Sequence, residues 1–291
     1  MKSRWYKQGN DLLEEIKSSD PQKNTLHIWY MGQHGFVLSI EGLVIYIDVI
    51  LNALPGADGM DRRNYPPPFN PDEAQRVDYY ISTHNHGDHL NMKTILPLAR
   101  ANPKTKFIVP MPFTKILLEA GIEKSRVEGA RVMESIDTSE KLKIIPVPAI
   151  HTRFIQDEGE RDGNGDYTAL GFVVKTESLS LYHPGDTWIT PGLVDLLTTL
   201  GPLDVSMLPI NGTDWERTAE NCIGNVNAMD AVRLAQAIPI DLVIPCHYDM
   251  MPNNMENPAY FVDCMYRYCP EKRFHICALG EKFIYEAFSK R

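Results

Sequence analysis

Short apolar runs alternate with helix-like segments along most of the chain, and this alternation constrains the fold more than any other feature. The runs are rich in Val, Ile and aromatic residues, as β-strands are, and they occupy residues 26–30, 36–40, 43–48, 77–83, 106–110, 141–150, 168–176, 179–183, 204–210 and 241–246. Amphipathic segments predict helices near 10–17, 91–101, 112–120, 191–200, 227–238 and 258–268. Such alternation predicts an α/β fold with mixed sheets covered by helices, an αββα layered sandwich.

The length and composition of the chain predict one principal domain. Its 291 residues, 43% of them hydrophobic, suffice for a substantial core. No Ser- or Gly-rich linker divides the sequence, and no short repeat recurs in it. We therefore predict an N-terminal extension with a short helix over residues 1–25, followed by a single domain over residues 26–291.

The charge and hydropathy of the chain bear on its partners and location. The formal net charge is -9 and Lys and Arg form no long run, which argues against nucleic acid as the main partner. The first residues lack the apolar core of a signal peptide, and no apolar run is long enough to span a bilayer. We expect a cytoplasmic protein that acts on a small molecule without a membrane partner. Nothing in the sequence decides between a monomer and a homo-oligomer.

Residues 82–91, STHNHGDHLN, place three histidines and an aspartate directly after an apolar strand-like run. His84 lies at the carboxyl end of that run, where α/β folds commonly bind ligands. In an extended loop His86 shares a face with His84, so that both imidazoles can reach one metal ion. Asp88 and His89 follow at the start of a predicted helix. Four ligands at this spacing fit two adjacent divalent metal sites, although a surface loop without a ligand is the alternative.

Three further candidate ligands follow apolar runs later in the chain. They are His151 after IIPVPAI, Asp186 after LSLYHPG and His247 after LVIPC. A lone histidine in such a place is more often a packed core residue than a ligand. Three such residues together with the histidine motif favour a metal centre.

These motifs resemble the signature of the metallo-β-lactamase superfamily of hydrolases. THNHGDH matches its first motif, and His151, HPGDT with Asp186 and PCHYD with His247 match the later motifs in order. YIDV with Asp48 is similar to the aspartate that ends an early strand in that family. The resemblance covers nearly the whole chain and implies the four-layer αββα sandwich of the metallo-β-lactamase type.

The resemblance also implies seven protein ligands for two divalent metal ions per chain. One ion would be held by His84, His86 and His151, the other by Asp88, His89 and His247, and Asp186 would bridge them. Asp48 would support the histidine loop from beneath. A nitrogen and oxygen ligand set without thiolate suits zinc or manganese, and iron as well.

A narrower resemblance points to the L-ascorbate-6-phosphate lactonase branch. It is carried by IWYMGQHGFVLSIEG at 28–42 and VIPCHYDMMPNNM at 243–255, while the loop after His151 does not match that branch closely. The resemblance implies a hydrolase in which a metal-bridging hydroxide opens a sugar-acid lactone, with or without a phosphate. Asp88 would orient this nucleophile and pass its proton to the leaving alkoxide.

Several other residues are candidates for supporting or substrate contacts. Tyr248 follows a candidate ligand and would orient His247. His34, in the turn GQHGF, is either a substrate contact or a hydrogen-bonded turn histidine. Arg153 and Arg217 are placed to bind a phosphate or carboxylate, with solvated surface as the alternative for each.

Two other functions compete with the lactonase interpretation. A phosphodiesterase or ribonuclease of the same superfamily often inserts a large domain or basic arm between the bridging aspartate and the last histidine. In this chain that segment is filled by ordinary predicted helices and strands, and the net charge is acidic. A noncatalytic metal or nucleic-acid binding module commonly lacks a ligand, whereas all seven positions are filled here.

Overall fold

A computed structural model describes residues 4–139, 141–220 and 222–287. Its strands in chain order are β1 Thr25–Tyr30, β2 Phe36–Ile40, β3 Leu43–Ile47, β4 Tyr79–Ile81, β5 Lys106–Pro110, β6 Val127–Ala130, β7 Ile136–Ser139, β8 Leu142–Pro148, β9 Leu170–Lys175, β10 Ser180–His183, β11 Leu203–Pro209, β12 Ile240–Cys246, β13 Arg273–Phe274 and β14 Lys282–Glu286. Its helices are α1 Gly9–Lys17, α2 Met92–Ala101, α3 Thr114–Glu119, α4 Pro191–Thr199, α5 Trp215–Ala219, α6 Ala228–Ala237 and α7 Pro258–Tyr268. Single 3-10 turns occur at Pro71–Glu73, Met111–Phe113, Lys124–Arg126 and Pro252–Asn254.

The polypeptide forms two compact units, each with its own sheet. The first unit comprises the described residues of Met1–Ala130 and Cys277–Arg291, and the second comprises those of Arg131–Ile276. This division differs from the predicted one, in which an N-terminal extension ends at residue 25 and a single domain begins at residue 26. The predicted division stays a prediction.

The sheet of the first unit has the strand order β14-β1-β2-β3-β4-β5-β6. Its strands pair antiparallel as far as β3 and parallel from β3 to β6. Strands β1, β3 and β4 therefore run in the same direction, and their carboxyl ends share one edge of the sheet. Ile47 pairs with Ile81 at that edge, which brings together the residues that follow β3 and β4.

Helices α1 and α2 cover the first sheet because each has apolar residues at helical spacing. Leu12 and Ile16 of α1, and Ile95 and Leu98 of α2, are buried in one apolar cluster with Trp29 of β1. The Trp29 indole also donates a hydrogen bond of 2.8 Å to Glu15 of α1. The N-terminal helix is therefore part of the core of the first unit.

The sheet of the second unit repeats this pairing pattern with the strand order β13-β12-β11-β10-β9-β8-β7. Pairing is antiparallel from β7 to β10 and parallel from β10 to β13. Strands β8, β10, β11 and β12 thus run in the same direction. Helices α4, α6 and α7 pack their apolar faces onto this sheet through residues such as Leu197, Val232 and Phe261.

Most strands and helices lie where the sequence predicts them. The largest difference among the predicted runs is at 77–83, where regular pairing is confined to Tyr79–Ile81. Helix α5 and strands β6 and β7 were not expected, because their sequences are short and carry little periodicity. Within the described ranges, no helix is both long enough and apolar enough to cross a bilayer.

Gly171 of β9 is a position at which an added methyl group should destabilise the second unit. A Cβ there would lie 2.8 Å from the carbonyl oxygen and 3.0 Å from the Cα of Pro184, so a backbone segment would have to move. We expect Gly171→Ala to lower the free energy of unfolding by about 1–3 kcal/mol, as measured by urea denaturation. Gly192→Ala in α4 is the matched control, because its Cβ meets no atom within 4 Å. The control should be neutral or stabilising by up to about 1 kcal/mol; equal losses would contradict this packing account.

Candidate metal centre

The histidine motif occupies a tight turn between β4 and α2. The backbone N–H groups of His89 and Leu90 both donate to the carbonyl of His86, at 2.9 and 2.8 Å. This turn brings the imidazoles close together, with ring centroids 4.6 Å apart for His84 and His86 and 4.1 Å apart for His84 and His89. Asn91 ends the turn by capping α2, accepting a hydrogen bond from the N–H of Lys93.

A buried carboxylate at the end of β3 holds this turn. Asp48 accepts a hydrogen bond of 2.8 Å from the N–H of Thr83 and one of 2.6 Å from its hydroxyl. It also lies 2.7 Å from Nδ1 of His89, within a side-chain environment that is fully buried. A carboxylate behind a histidine in this way orients the ring and makes its other nitrogen a better metal ligand.

These contacts indicate which histidine nitrogens face a metal. Nδ1 of His89 is engaged by Asp48, and Nδ1 of His84 lies 3.1 Å from the Thr83 hydroxyl. Because that hydroxyl donates its proton to Asp48, it can accept one from His84. Nε2 is therefore the nitrogen of both His84 and His89 that is suited to coordinate a cation.

Gln33 and His34 complete this end of the first unit. The Gln33 side-chain amide donates a hydrogen bond of 2.9 Å to Asp88, whose same oxygen lies 3.7 Å from Nε2 of His89. His34 is fully buried, and one of its ring nitrogens lies within 4.8 Å of one of His89. His34 is among the residues predicted from the sequence, whereas Gln33 is not; the signal for Gln33 is its place in the Gly-rich turn after β1.

In the second unit, His151 and Asp186 are brought together by a short antiparallel bridge. The N–H of Trp188 donates to the carbonyl of Ile150 at 2.9 Å, and its indole donates to the carbonyl of Thr152 at 2.9 Å. The residues on both sides of His151 are thus tied to Trp188. Trp188 was not predicted to have this role, because buried tryptophan is ordinarily only a core residue.

Asp186 faces two histidines with its two separate oxygens. Its Oδ1 lies 3.2 Å from Nε2 of His247, and its Oδ2 lies 4.0 Å from Nε2 of His151. All three side chains are buried. A carboxylate arranged in this way can bridge two cations, each of which is also held by a histidine.

Left-handed backbone occurs at several of these positions. Asp48, His247 and Gln33 have φ values of 50°, 58° and 57°, which side chains with a Cβ rarely adopt. Gly185, immediately before Asp186, has φ of 63°. Each such non-glycine residue costs on the order of 1–3 kcal/mol. Strain of this kind clusters at functional sites, and here these residues lie within three positions of the ends of β1, β3, β10 and β12.

The two arginines proposed as substrate contacts are bound to the protein itself. Arg153 donates a hydrogen bond of 3.1 Å to the carbonyl of Thr218. Arg217 donates one of 2.6 Å to the carbonyl of Asn211 and pairs with Asp214 at 2.9 Å. Their roles in substrate binding stay predictions.

Two residues lie near His247, the last candidate ligand: Tyr248 follows it in the chain, and Asn211 follows the neighbouring strand β11. Tyr248 is buried and its carbonyl accepts a hydrogen bond of 3.1 Å from the N–H of Glu256. Asn211 follows β11, which lies between β10, the strand before Asp186, and β12, the strand before His247. Its side-chain amide donates to Asn254 at 2.9 Å. Asn211 is not among the residues predicted from the sequence; its signal is that it is a polar residue after an apolar strand. An orienting role for Tyr248 stays a prediction.

The donor set of each unit fits divalent metal ions. Each unit presents buried imidazoles beside an aspartate. In the first unit, Nδ1 of His89 contacts Asp48 and its Nε2 lies 3.7 Å from the Asp88 carboxylate. In the second unit, Nε2 of His247 lies 3.2 Å from the Asp186 carboxylate. Clustered imidazole and carboxylate donors suit zinc, manganese and iron.

Comparisons with known proteins identify the class of this chain. A family model described as a β-lactamase superfamily domain matches residues 48–248. The solved structure of Igni18, a metallo hydrolase from Ignicoccus hospitalis, superposes with a TM-score of 0.67 and 19% identity, covering 90% of this chain and 99% of that one. The chain belongs to the metallo-β-lactamase superfamily, and the fold class predicted from its sequence is confirmed.

Curated relatives narrow the family further. A UPF0173 metal-dependent hydrolase of Thermofilum pendens is 30% identical over 244 residues, 80% of this chain and 87% of that protein. Another, from Methanopyrus kandleri, is 28% identical over 236 residues, 81% of this chain and 90% of that protein. The chain is a metal-dependent hydrolase of the UPF0173 family. The lactonase branch, the cytoplasmic location and the identity and number of the metals stay predictions.

The Asp48→Asn substitution tests whether the buried carboxylate raises the metal affinity of the histidine turn. Asparagine tolerates the left-handed backbone at this position, so the fold should persist. Loss of the charge behind His89 should weaken zinc binding by about 10–100-fold, measured by competition with a chromogenic chelator.

Asp78→Asn is the control for this measurement. The Asp78 carboxylate accepts a hydrogen bond of 2.8 Å from the N–H of Val44 at the opposite end of β3, remote from the histidine turn along that strand. The zinc affinity of the Asp78→Asn protein should equal that of the unsubstituted protein. An Asp48→Asn protein that is folded and binds zinc normally would contradict the assigned role.

Proposed function

We propose that this metal-dependent hydrolase cleaves carboxylic esters, and lactones in particular, with two divalent metal ions held by seven ligands. The ligands are His84, His86, Asp88, His89, His151, Asp186 and His247. The observation that carries the proposal is the Asp186 carboxylate, whose two oxygens face two different histidines. A carboxylate shared by two ions, each also held by a histidine, requires that arrangement.

The metal ions, when bound, supply a hydroxide nucleophile at neutral pH and polarise the carbonyl under attack. The residues of the chain fix the positions of the metal ligands. Asp48 fixes the ring of His89, and Asp186 keeps its carboxylate between His151 and His247.

Asp88 is the residue best placed to move a proton. Its carboxylate is half-buried and held by the amide of Gln33 at 2.9 Å. From this position it accepts the proton of the nucleophile and returns it to the departing alkoxide. In a lactone the ring then opens to a hydroxy acid, and no leaving group is lost from the product.

Two observations support an ester over a phosphodiester as the bond that is cleaved. The chain carries a net charge of -9, which disfavours a polyanionic substrate. Arg153 and Arg217, the cations predicted near the candidate ligands, are hydrogen-bonded to backbone carbonyls. The sequence resemblance to the L-ascorbate-6-phosphate lactonase branch supports a lactone, and sugar-acid lactones therefore belong in any substrate panel.

The proposal is tested with zinc- and manganese-loaded protein and a panel of neutral lactones, sugar-acid lactones with and without phosphate, and bis-p-nitrophenyl phosphate. We expect acid release from lactones that a chelator abolishes and added metal restores. Asp88→Asn should retain metal and lower kcat by at least about 100-fold. Asp195→Asn, an exposed carboxylate on α4, is the matched control and should behave as the unsubstituted protein.

The other outcomes identify the competing functions. Efficient cleavage of the phosphodiester without lactone hydrolysis would replace the proposal with a phosphodiesterase. If no compound were hydrolysed in a chelator-sensitive manner and Asp88→Asn changed nothing, a noncatalytic binding module would be the better description.

A further inference from the structure

Four large apolar side chains of the second unit are exposed on the segments that follow its co-directional strands. Trp215, Phe154 and Ile155 are 82%, 67% and 65% exposed, and Met255 is 42% exposed. We call these four residues the apolar rim. Phe154 lies three residues after His151. Trp215 begins α5 after β11, and Met255 lies in the segment after β12. Because β8, β11 and β12 run in the same direction, the rim extends from the sheet edge that bears His151, Asp186 and His247.

Arginine side chains tie the loops of the rim together. Arg153, beside Phe154, donates to the carbonyl of Thr218 in α5 at 3.1 Å. Arg217, in the same helix as Trp215, donates to the carbonyl of Met255 at 3.4 Å. The two guanidinium groups thus join the three segments that carry the rim.

The charges around the rim disfavour an anionic ligand. Acidic residues outnumber arginines in both 152–167 and 211–220, and neither segment contains lysine. Arg161 is also bound internally, donating to the carbonyl of Gly165 at 3.0 Å and stacking 3.9 Å from the ring centroid of Tyr167. A phosphate placed here would meet carboxylates and guanidinium groups that already have acceptors.

We propose that the apolar rim binds an uncharged aliphatic or aromatic substituent of the substrate, so that the preferred esters and lactones carry an apolar chain and no phosphate. This inference rests on the proposed ester hydrolysis. Exposed aromatic side chains beside a polar centre bury apolar ligand surface and thereby select for it. The reaction is unchanged: water adds across the acyl C–O bond, which breaks to give a carboxylic acid and an alcohol.

Tryptophan fluorescence tests binding without catalysis. Trp5, Trp29 and Trp188 are buried, and Trp215 is the exposed member of the four tryptophans. Octanamide, a neutral compound that resembles an ester, should shift the emission of metal-loaded protein to the blue and protect it from acrylamide quenching. Acetamide and glucose 6-phosphate should not, and the octanamide signal should vanish in Trp215→Phe.

Kinetics with p-nitrophenyl acetate and octanoate test selection. Trp215→Ala and Phe154→Ala should each lower kcat/KM for the octanoate by about tenfold, with less than a twofold effect on the acetate. Tyr6→Ala is the control, because Tyr6 is 72% exposed in the first unit, and it should leave both values unchanged.

The inference and the proposed function fail in different ways. Chelator-sensitive hydrolysis that prefers a phosphorylated lactone and is indifferent to Trp215→Ala would overturn the rim as the selective element while leaving the hydrolase intact. Absence of ester hydrolysis would overturn the proposed function. The fluorescence measurement still decides the rim in that case, since quenching unaffected by octanamide would exclude it.

Discussion

The candidate metal centre of the first unit depends on one buried negative charge, the Asp48 carboxylate. An isolated carboxylate in an apolar interior is strongly unfavourable, so Asp48 must be satisfied by several donors. Thr83 supplies two of them and His89 lies at hydrogen-bond distance from the same group. Burial, followed by the charge of Asp48 and the neighbouring Tyr46, also holds the pKa of Tyr80 well above its usual value. Hydrogen bonds to a charged group are worth about 1.5–3 kcal/mol each, enough to offset the left-handed backbone at Asp48.

Strand direction explains why the functional side chains meet in each unit. In the first sheet, β1, β3 and β4 run together and end at Gln33 and His34, at Asp48 and at the histidine turn. In the second, β8, β10, β11 and β12 run together and end near His151, Asp186, Asn211 and His247. Glycine permits the close approach behind Asp186, because Gly171 leaves room for the backbone of Pro184. The chemistry is thus carried by loop residues whose positions are set by rigid strands.

Much of this arrangement follows from sequence alone. Apolar runs locate the strands because their residues are buried on both faces, and a polar ligand directly after such a run is conspicuous. Other parts depend on tertiary contacts without a local pattern. Gln33 holds Asp88 across a separation of 55 residues, and Trp188 holds the segment around His151. The arginines are the clearest case. The sequence predicts Arg153 and Arg217 near the candidate ligands, but the hydrogen bonds of their guanidinium groups to backbone carbonyls depend on the tertiary fold.

The most direct measurement of the central claim is the number of divalent metal ions bound per chain. Protein loaded with zinc or manganese, dialysed to remove loosely held ions and analysed by elemental mass spectrometry should retain two equivalents. Asp186→Ala should retain fewer, because it removes the carboxylate that faces both His151 and His247. Retention of no metal, or an unchanged two equivalents in the Asp186→Ala protein, would contradict the account.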